Sequence, residues 1–338
     1  MLYQFLLNFV DTFGFLNVFK YLTFRTGLSV FTSLLIVLII GGPFIKLFSN
    51  QKIYNPIRDD GPEDHIIKKI GTPTMGGVII LFGLLVSVLC WADLSNINIL
   101  FCIYIAISFG LLGAYDDYKK IKFTNSSGIS SKLKIVLQII LAIIGVIFYL
   151  QFVDYQDVTN LYFPFFKDLI IPMSPFIFIS FGMLVLIGSS NAVNLTDGLD
   201  GLAILPSVLI AGALGLIAYS MGNQIIADYL YLPHLELSGE LIVFCGALIG
   251  SGIGFLWYNT YPAEIFMGDI GSLTLGAILG IIAVMLRHEL VFAIMAGVFV
   301  IETMSVAIQV ISFKTRGKRV FLMGLTNLVN GEERPKQI

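Results

Sequence analysis

The chain has 338 residues, and its composition is that of a membrane protein rather than a soluble one. Hydrophobic residues make up 57% of it and charged residues only 12%, with a mean hydropathy of +0.90, far from ordinary soluble domains. The formal net charge of −2 points to no class of partner, so the distribution of charge along the chain is more informative than its total.

Nine apolar segments recur along the chain, rich in Leu, Ile, Val and Phe. Each is about 17 to 22 residues long, enough to cross a hydrocarbon layer of roughly 30 Å as a helix, and the period-two alternation of an outer-membrane barrel is missing. We therefore predict an all-α, polytopic helical membrane protein with nine transmembrane helices and one integral membrane domain, residues 1–323. The predicted spans are 28–45, 74–91, 97–114, 135–152, 170–188, 202–221, 241–257, 270–286 and 290–311.

Lysine and arginine residues concentrate in alternate loops, after predicted spans one, three and nine. Because cytoplasmic loops carry the excess of positive charge, we expect these loops in the cytoplasm, the N-terminus outside and the C-terminus inside. The aromatic segment from Leu2 to Phe24 is then expected to form an interfacial helix on the outer face. The basic residues are Lys46, Lys52, Arg58, Lys68 and Lys69, then Lys119, Lys120, Lys122, Lys132 and Lys134, and finally Lys314, Arg316, Lys318 and Arg319.

A Gly/Thr-rich segment with a lysine pair, residues 68–77, leads into the second span. It lacks the spacing and the terminal Gly-Lys-Ser/Thr of a nucleotide-binding phosphate loop. Basic charge beside such a helix start can still hold a phosphate, with Lys69 and Thr74 as candidates. The alternative is that the lysines serve only to orient the chain in the membrane.

An adjacent pair of acids, Asp116 and Asp117, follows the third span. Neighbouring carboxylates repel each other, and near a membrane they favour a shared cation or protonation of one member. Magnesium takes one or two carboxylates together with phosphate oxygens of a substrate. The pair therefore indicates a metal or phosphate site, although two acids followed by Lys119 and Lys120 also fit a solvated helix end.

Between the fifth and sixth spans, Asn191, Asn194, Asp197 and Asp200 lie close together beside two glycines. Oxygen and amide groups on a loop in which glycine permits close approach suit a nucleotide or a metal. A turn with a helix cap explains part of this run, but not its density of polar residues. The tripeptide that starts at Asn194 also matches a glycosylation acceptor, which conflicts with a cytoplasmic position.

The third acidic cluster is a single residue, Asp269, in the run 266–272 before the eighth span. A helix N-terminus favours negative charge and attracts phosphate, so Asp269 is a candidate metal ligand, with a helix N-cap as the alternative. Phe266 can either stack on a planar base or pack in the core. All three clusters fall on the predicted cytoplasmic side, which indicates one shared site there.

Taken together, four segments occur in the order and spacing of the polyprenyl-phosphate N-acetylhexosamine-1-phosphate transferases. They are 71–77, the Asp116–Asp117 pair, 191–202 and 266–269. The chain resembles this family from about residue 20 to Met323, and the form of residues 72–75 points to its muramoyl branch. The resemblance implies a Mg2+-dependent transfer of phospho-N-acetylmuramoyl-pentapeptide from its UDP carrier to undecaprenyl phosphate, which releases UMP and starts the lipid stage of peptidoglycan synthesis.

The resemblance also implies roles for individual residues. Asp116, Asp117 and Asp269 are the implied catalytic residues, with Asp269 the principal Mg2+ ligand and Asp117 a second candidate ligand. Asp116 is implied as a base or as the group that orients the lipid phosphate, and Phe266 is implied to lie against uracil. The implied substrate pocket comprises Lys69, Thr74, Asn191, Asn194, Asp197, Asp200, Asn259, Phe266 and Gln309.

The implied partners are UDP-N-acetylmuramoyl-pentapeptide, undecaprenyl phosphate and the lipid bilayer, with a second copy of the chain as a candidate and no nucleic acid. The implied location is the bacterial inner membrane, with the active site on the cytoplasmic face.

After Met323 the chain departs from the family pattern. The family continues with three consecutive histidines and a tenth span, whereas residues 324–338 are polar and are predicted to be disordered. The three histidines of this chain, His65, His234 and His288, do not match that segment. We interpret the C-terminus as atypical and truncated, without groups expected at the nucleotide pocket.

Three alternatives follow from these observations. A sister activity would transfer N-acetylglucosamine-1-phosphate from UDP-N-acetylglucosamine with the same core motifs, and the altered C-terminus raises the alternative of an inactive homologue. From a different class, intramembrane carboxylates can serve a cation-coupled transporter. A transporter should place its acids near the midplane of broken helices, whereas these acids lie at the predicted cytoplasmic ends of spans.

Overall fold

The structure is a computed structural model that describes residues 2–51, 71–123, 128–152, 159–164, 166, 169–316 and 320. One short antiparallel pair, β1 (Asn160–Tyr162) and β2 (Ile170–Pro172), accompanies the helices, with Leu161 opposite Ile171. The helices are α1 (Leu2–Leu7), α2 (Leu22–Asn50), α3 (Gly77–Trp91), α4 (Ile97–Phe123), α5 (Ser131–Leu150), α6 (Pro175–Thr196), α7 (Ile204–Met221), α8 (Gln224–Leu230), α9 (Leu241–Asn259), α10 (Gly268–Met285), α11 (Glu289–Met295) and α12 (Gly297–Arg316), with 3-10 turns at Gly14–Lys20 and Glu236–Ser238.

The predicted all-α, polytopic membrane fold is confirmed. Within the described residues, eight helices are long and apolar enough to cross a membrane, and α3, with 15 residues, is a shorter apolar helix. Each of the nine predicted spans overlaps one of these helices. The chain is therefore a multi-pass membrane protein.

Two segments differ from their sequence-based prediction. The ninth span is broken at Ala296 into α11 and α12, because Ala296 leaves the helical conformation directly before Gly297, a residue that costs about 1 kcal/mol in a helix interior relative to alanine. The segment from Leu2 to Phe24 is not one interfacial helix. It divides into α1, a 3-10 turn and the start of α2, with the poor helix former Gly14 at the beginning of the 3-10 turn.

The centre of the bundle is α10, in which every residue from Asp269 to Met285 is buried. It packs chiefly against α6 and α4, while α9 packs against α2 and α7. Small residues permit these close approaches, as is usual between helices in a membrane. A Cβ at Gly77 would lie 2.1 Å from the backbone nitrogen of Gly271, and one at Gly276 would lie 2.3 Å from the carbonyl oxygen of Ser189.

A buried ion pair joins α2, α3 and α9 at the end of the bundle where α2 and α9 begin. The guanidinium of Arg25 forms a two-pronged contact with the Glu240 carboxylate, with Nη2 to Oε2 at 2.9 Å, and also donates to the carbonyl oxygen of Trp91 at 3.0 Å. Glu240 accepts a further hydrogen bond from the Asp93 backbone N–H at 2.7 Å. Both charges are thus compensated where water is excluded.

We expect Arg25→Met to destabilise the protein by roughly 3–5 kcal/mol, because it leaves the Glu240 carboxylate buried without its partner. The double variant Arg25→Met/Glu240→Gln removes both charges and keeps an acceptor for the Asp93 N–H, so it should recover part of the loss. The measurement is the thermal midpoint in one fixed detergent, with Glu236→Gln as the exposed control. An unchanged midpoint for Arg25→Met would contradict this prediction.

Candidate active site

Three carboxylates predicted from two separate sequence motifs come together in the structure. Asp116 and Asp117 lie near the end of α4, and Asp269 lies in the first turn of α10. One carboxylate oxygen from each lies within 4.8 Å of the others, and the three residues are only 1%, 0% and 8% exposed. Such a concentration of negative charge beside hydrocarbon requires compensating cations.

The backbone holds two of these carboxylates in place. The Ile270 N–H in the first turn of α10 donates to Asp117 Oδ2 at 3.2 Å, and the Ile129 N–H donates to Asp116 Oδ1 at 2.7 Å. The N-terminus of α10 also favours negative charge. Asp269 itself is not the N-cap, which is Met267, so the N-cap alternative for Asp269 is wrong and its carboxylate is available to other groups.

Glycine is required at two positions against these carboxylates. Gly268 has φ +73° and Gly128 has φ +56°, in the left-handed region that residues with a side chain rarely adopt. A Cβ at Gly268 would lie 2.6 Å from Asp117 Oδ2, and one at Gly128 would lie 2.7 Å from Asp116 Oδ1. These glycines therefore let the backbone close over the acids.

Two lysine side chains supply positive charge to the cluster. Lys120 Nζ lies 2.7 Å from Asp116 Oδ2, 3.0 Å from Asp269 Oδ1 and 3.7 Å from Asp117 Oδ1. Lys134 Nζ lies 2.5 Å from Asp269 Oδ2 and 3.5 Å from Asp116 Oδ2.

Neither lysine was predicted as a site residue, because both counted toward the cytoplasmic positive charge and Lys120 also toward a solvated helix end. The i,i+4 spacing of Asp116 and Lys120 on one helix face was a usable signal. Lys134 lies on a different helix, and no spacing in the sequence connects it with the acids.

Asn194 contacts the acidic cluster directly, whereas Asn191 does not. The Asn194 amide donates to Asp269 Oδ1 at 2.9 Å and to Ser272 Oγ at 2.8 Å, and this internal role argues against a glycosylation acceptor. The Asn191 amide instead donates to Gln138 Oε1 at 2.8 Å. Asn191 therefore lies about one helical turn farther from the acidic cluster along α6 than Asn194 does.

Asn259 and Asp200 tie two loops together. Asn259 Oδ1 accepts from the Gly201 N–H at 3.0 Å, and its amide donates to the Ile265 carbonyl oxygen at 2.9 Å. Asp200 Oδ2 accepts from the Ala263 N–H at 3.1 Å. Both residues thus hold the loop after α6 against the loop before α10, which shapes the surroundings of Asp269.

The segment before α3 lies alongside the segment before α10. The Gly76 N–H donates to the Phe266 carbonyl oxygen, and the Phe266 N–H donates to the Pro73 carbonyl oxygen, both at 2.9 Å. Thr74 is fully buried, and its hydroxyl has no hydrogen-bond partner among the described residues. This pairing brings the first and last of the four predicted motifs into one place.

Three other predicted site residues, Asp197, Phe266 and Gln309, also lie among the described residues. Asp197 is the half-buried C-cap of α6, and Phe266 is half-buried. Gln309 accepts a hydrogen bond from the Val320 N–H at 2.9 Å. Lys69 and the tail 324–338 lie outside the described residues.

The donor set of the cluster fits a hard divalent cation. Carboxylate oxygens are the protein ligands that such cations prefer, and three converge here. Asp117 Oδ1 is buried without a hydrogen-bond donor among the described residues, with Lys120 Nζ at 3.7 Å as a nearby cation. An oxygen in that position is suited to a metal ligand.

We expect Asp269→Asn to weaken divalent-metal binding by more than about tenfold, since even groups that only support metal ligands contribute 10–100-fold. Binding of Mn2+ to the purified protein, followed by electron paramagnetic resonance, measures this effect. Asp228→Asn, which changes an exposed carboxylate on α8, is the matched control. Equal Mn2+ affinity in Asp269→Asn and the native protein would remove Asp269 from the metal site.

Comparison with known proteins assigns the chain to a family. The model of glycosyl transferase family 4 matches residues 97–287, which include the three carboxylates and both lysines of the site. Signature 1 of the phospho-N-acetylmuramoyl-pentapeptide-transferases matches residues 69–81. The chain is also similar to a phospho-N-acetylmuramoyl-pentapeptide-transferase of Pelagibacter ubique (strain HTCC1062), with 59% identity over 323 residues, 96% of this chain and 89% of the relative. The chain therefore belongs to glycosyl transferase family 4 and, within it, to the phospho-N-acetylmuramoyl-pentapeptide-transferases.

Proposed function

We propose that the cluster of Asp116, Asp117 and Asp269 is the reaction centre at which phospho-N-acetylmuramoyl-pentapeptide passes from its UDP carrier to undecaprenyl phosphate. The observation that carries this proposal is the meeting of three carboxylates and two ammonium groups at one end of α10, inside the region that the family model matches. The muramoyl signature and the relative favour this substrate over UDP-N-acetylglucosamine. Family membership sets the transporter alternative aside.

The reaction joins two anions, and the site must offset their repulsion. An oxygen of the lipid phosphate attacks the phosphorus that carries the sugar, a new P–O bond forms, and the P–O bond to UMP breaks with its electron pair leaving on UMP. Positioning and electrostatic stabilisation dominate the catalysis of phosphoryl transfer. The ammonium groups of Lys120 and Lys134 lie where they can serve both purposes.

We propose that the metal of this site is Mg2+ and that Asp269 and Asp117 would hold it. When bound there, Mg2+ would neutralise charge on the pyrophosphate and stabilise the departing phosphate oxygen. Asn194 orients the Asp269 carboxylate, and the Ile270 N–H fixes Asp117.

Asp116 has a different proposed role, which is to orient the lipid phosphate or accept its proton. Its Oδ1 is already held by the Ile129 N–H, while Oδ2 faces Lys120 and Lys134. Lysine side chains are flexible point charges, so either can move from a carboxylate to a phosphate oxygen.

We further propose that the site faces the cytoplasm from a bacterial inner membrane, with the N-terminus outside and the C-terminus inside. Lys119 and Lys122 follow the acidic pair on α4, and Lys132 lies in the first turn of α5, a run of positive charge that is expected for a cytoplasmic surface. The pocket roles of Thr74, Asn191, Asp197, Asp200, Asn259, Phe266 and Gln309, the role of Lys69 and the homodimer stay predictions.

The decisive assay is exchange of labelled UMP into UDP-N-acetylmuramoyl-pentapeptide by the purified chain in membranes that contain undecaprenyl phosphate. We expect exchange that requires Mg2+ and is lost in Asp269→Asn. No exchange by the native chain would favour the inactive homologue, and exchange with UDP-N-acetylglucosamine alone would overturn the proposed substrate.

Lys134→Met should lower the transfer rate by about 100- to 1000-fold, the usual effect of losing one charge-stabilising donor. Lys132→Met removes the same charge from an exposed position two residues away on α5 and should keep the native rate. Equal losses in the two variants would show that only the general positive charge of this surface matters.

A further inference from the structure

Lys134 reaches the acidic cluster from a helix that is otherwise loosely attached. Only 22% of the apolar part of α5 is buried inside the protein. Four of its five buried residues form one stripe, with Gln138, Ala142, Gly145 and Tyr149 at intervals of four, three and four residues, and the fifth is Leu150. Lys134 lies one turn before Gln138, the first member of this stripe. The position of the lysine therefore depends on how the stripe packs against the neighbouring helices.

Gln138 is the member of the stripe closest to the site, and its side-chain amide is fully enclosed. Its Oε1 accepts from the Asn191 amide at 2.8 Å, and its Nε2 makes a longer contact of 3.5 Å with Ser190 Oγ. Ser190 Oγ in turn donates to the Leu273 carbonyl oxygen at 2.8 Å. One glutamine therefore connects α5, through α6, to α10.

These contacts form a layer directly beneath the reaction centre. Lys134 and Gln138 are four residues apart on α5, and Asn194 and Asn191 are three residues apart on α6, so each pair lies on one helix face. The upper layer holds Lys134 and Asn194 against Asp269. The lower layer joins α5 to α6 directly, through the uncharged side chains of Gln138 and Asn191.

The amide is not needed for packing alone. A methionine has nearly the length of glutamine and packs among apolar helices without the cost of removing an amide from water. A buried polar pair instead specifies one register and one rotation of the helices that carry it. At this position, the register of α5 decides where Lys134 Nζ lies.

We propose that Gln138 is a positioning residue for the transfer reaction, which acts by holding α5 against Asn191 so that Lys134 stays at Asp269. The inference rests on the proposed function of Lys134 in this site. A shift of about 1 Å in a catalytic group can cost on the order of 100-fold in rate, so a small rotation of α5 is enough to matter.

The test is a double-mutant cycle of Gln138→Met and Lys134→Met, with kcat and the KM of both substrates measured on purified protein. We expect Gln138→Met to lower kcat about tenfold or more with little change in either KM. The double variant should be no slower than Lys134→Met, because the glutamine acts through the lysine. Tyr104→Phe removes another hydrogen bond that holds α5, to the Leu141 carbonyl oxygen at 2.9 Å, and should keep kcat within about twofold.

Two outcomes would overturn the inference: a native kcat in Gln138→Met, or losses that multiply in the double variant. Gln138→Asn keeps the amide one methylene shorter and covers the case in which the methionine variant fails to fold. It should retain the native thermal midpoint with a reduced kcat, and a native kcat would again count against the inference. A native rate in Lys134→Met would instead reject the proposed function of that lysine.

Discussion

The site depends on one constraint, the cost of holding three carboxylates close together at the edge of a hydrocarbon layer. Each compensating feature follows from it. The N-terminus of α10 is aimed at Asp117, and backbone N–H groups are bonded to two of the acids. Two ammonium groups lie among the carboxylate oxygens, and Asn194 donates to Asp269. In the function we propose, the same concentration of charge that is expensive to bury would bind a divalent cation and orient phosphates.

The packing of the apolar core determines the geometry of the charged end of the bundle. Because α10 is buried along its whole length, its first turn is fixed by contacts on all sides. Gly113 shows how close these contacts are, since a Cβ there would lie 2.4 Å from the carbonyl oxygen of Asp269. A larger residue at this position would push α4 away from α10 and separate Asp116 and Asp117 from Asp269. The packing of small residues in the membrane thus sets the geometry of the polar site.

Much of this arrangement could be predicted from the sequence, for identifiable reasons. Span positions follow from apolar length, and the three acidic motifs were recognisable because charges are rare in such a chain. The sequence does not predict which helices lie side by side, and therefore which of their side chains meet. Lys134 and Gln138 join the site through the packing of α5 against α6, and the bonds of Asn259 and Asp200 show that residues of one motif can serve the backbone of another. The break at Ala296 was missed for another reason, because the length of an apolar segment does not distinguish one helix from two.

The shortness of α3 has a consequence for how a lipid meets this site. A helix of 15 residues is about 22 Å long, less than a hydrocarbon layer of roughly 30 Å. The backbone of Pro73 and Gly76 before it is bonded to Phe266, as non-helical backbone at membrane depth must be bonded within the protein. By contrast, α4 continues for six residues past Asp117 to Phe123. Asp117 therefore lies about 9 Å along α4 from its end, next to Gly268 and the backbone that leads into α3. In the function we propose, a short α3 would let a prenyl phosphate reach the carboxylates from the side with its tail still dissolved in lipid, so that the membrane itself delivers one of the two reactants.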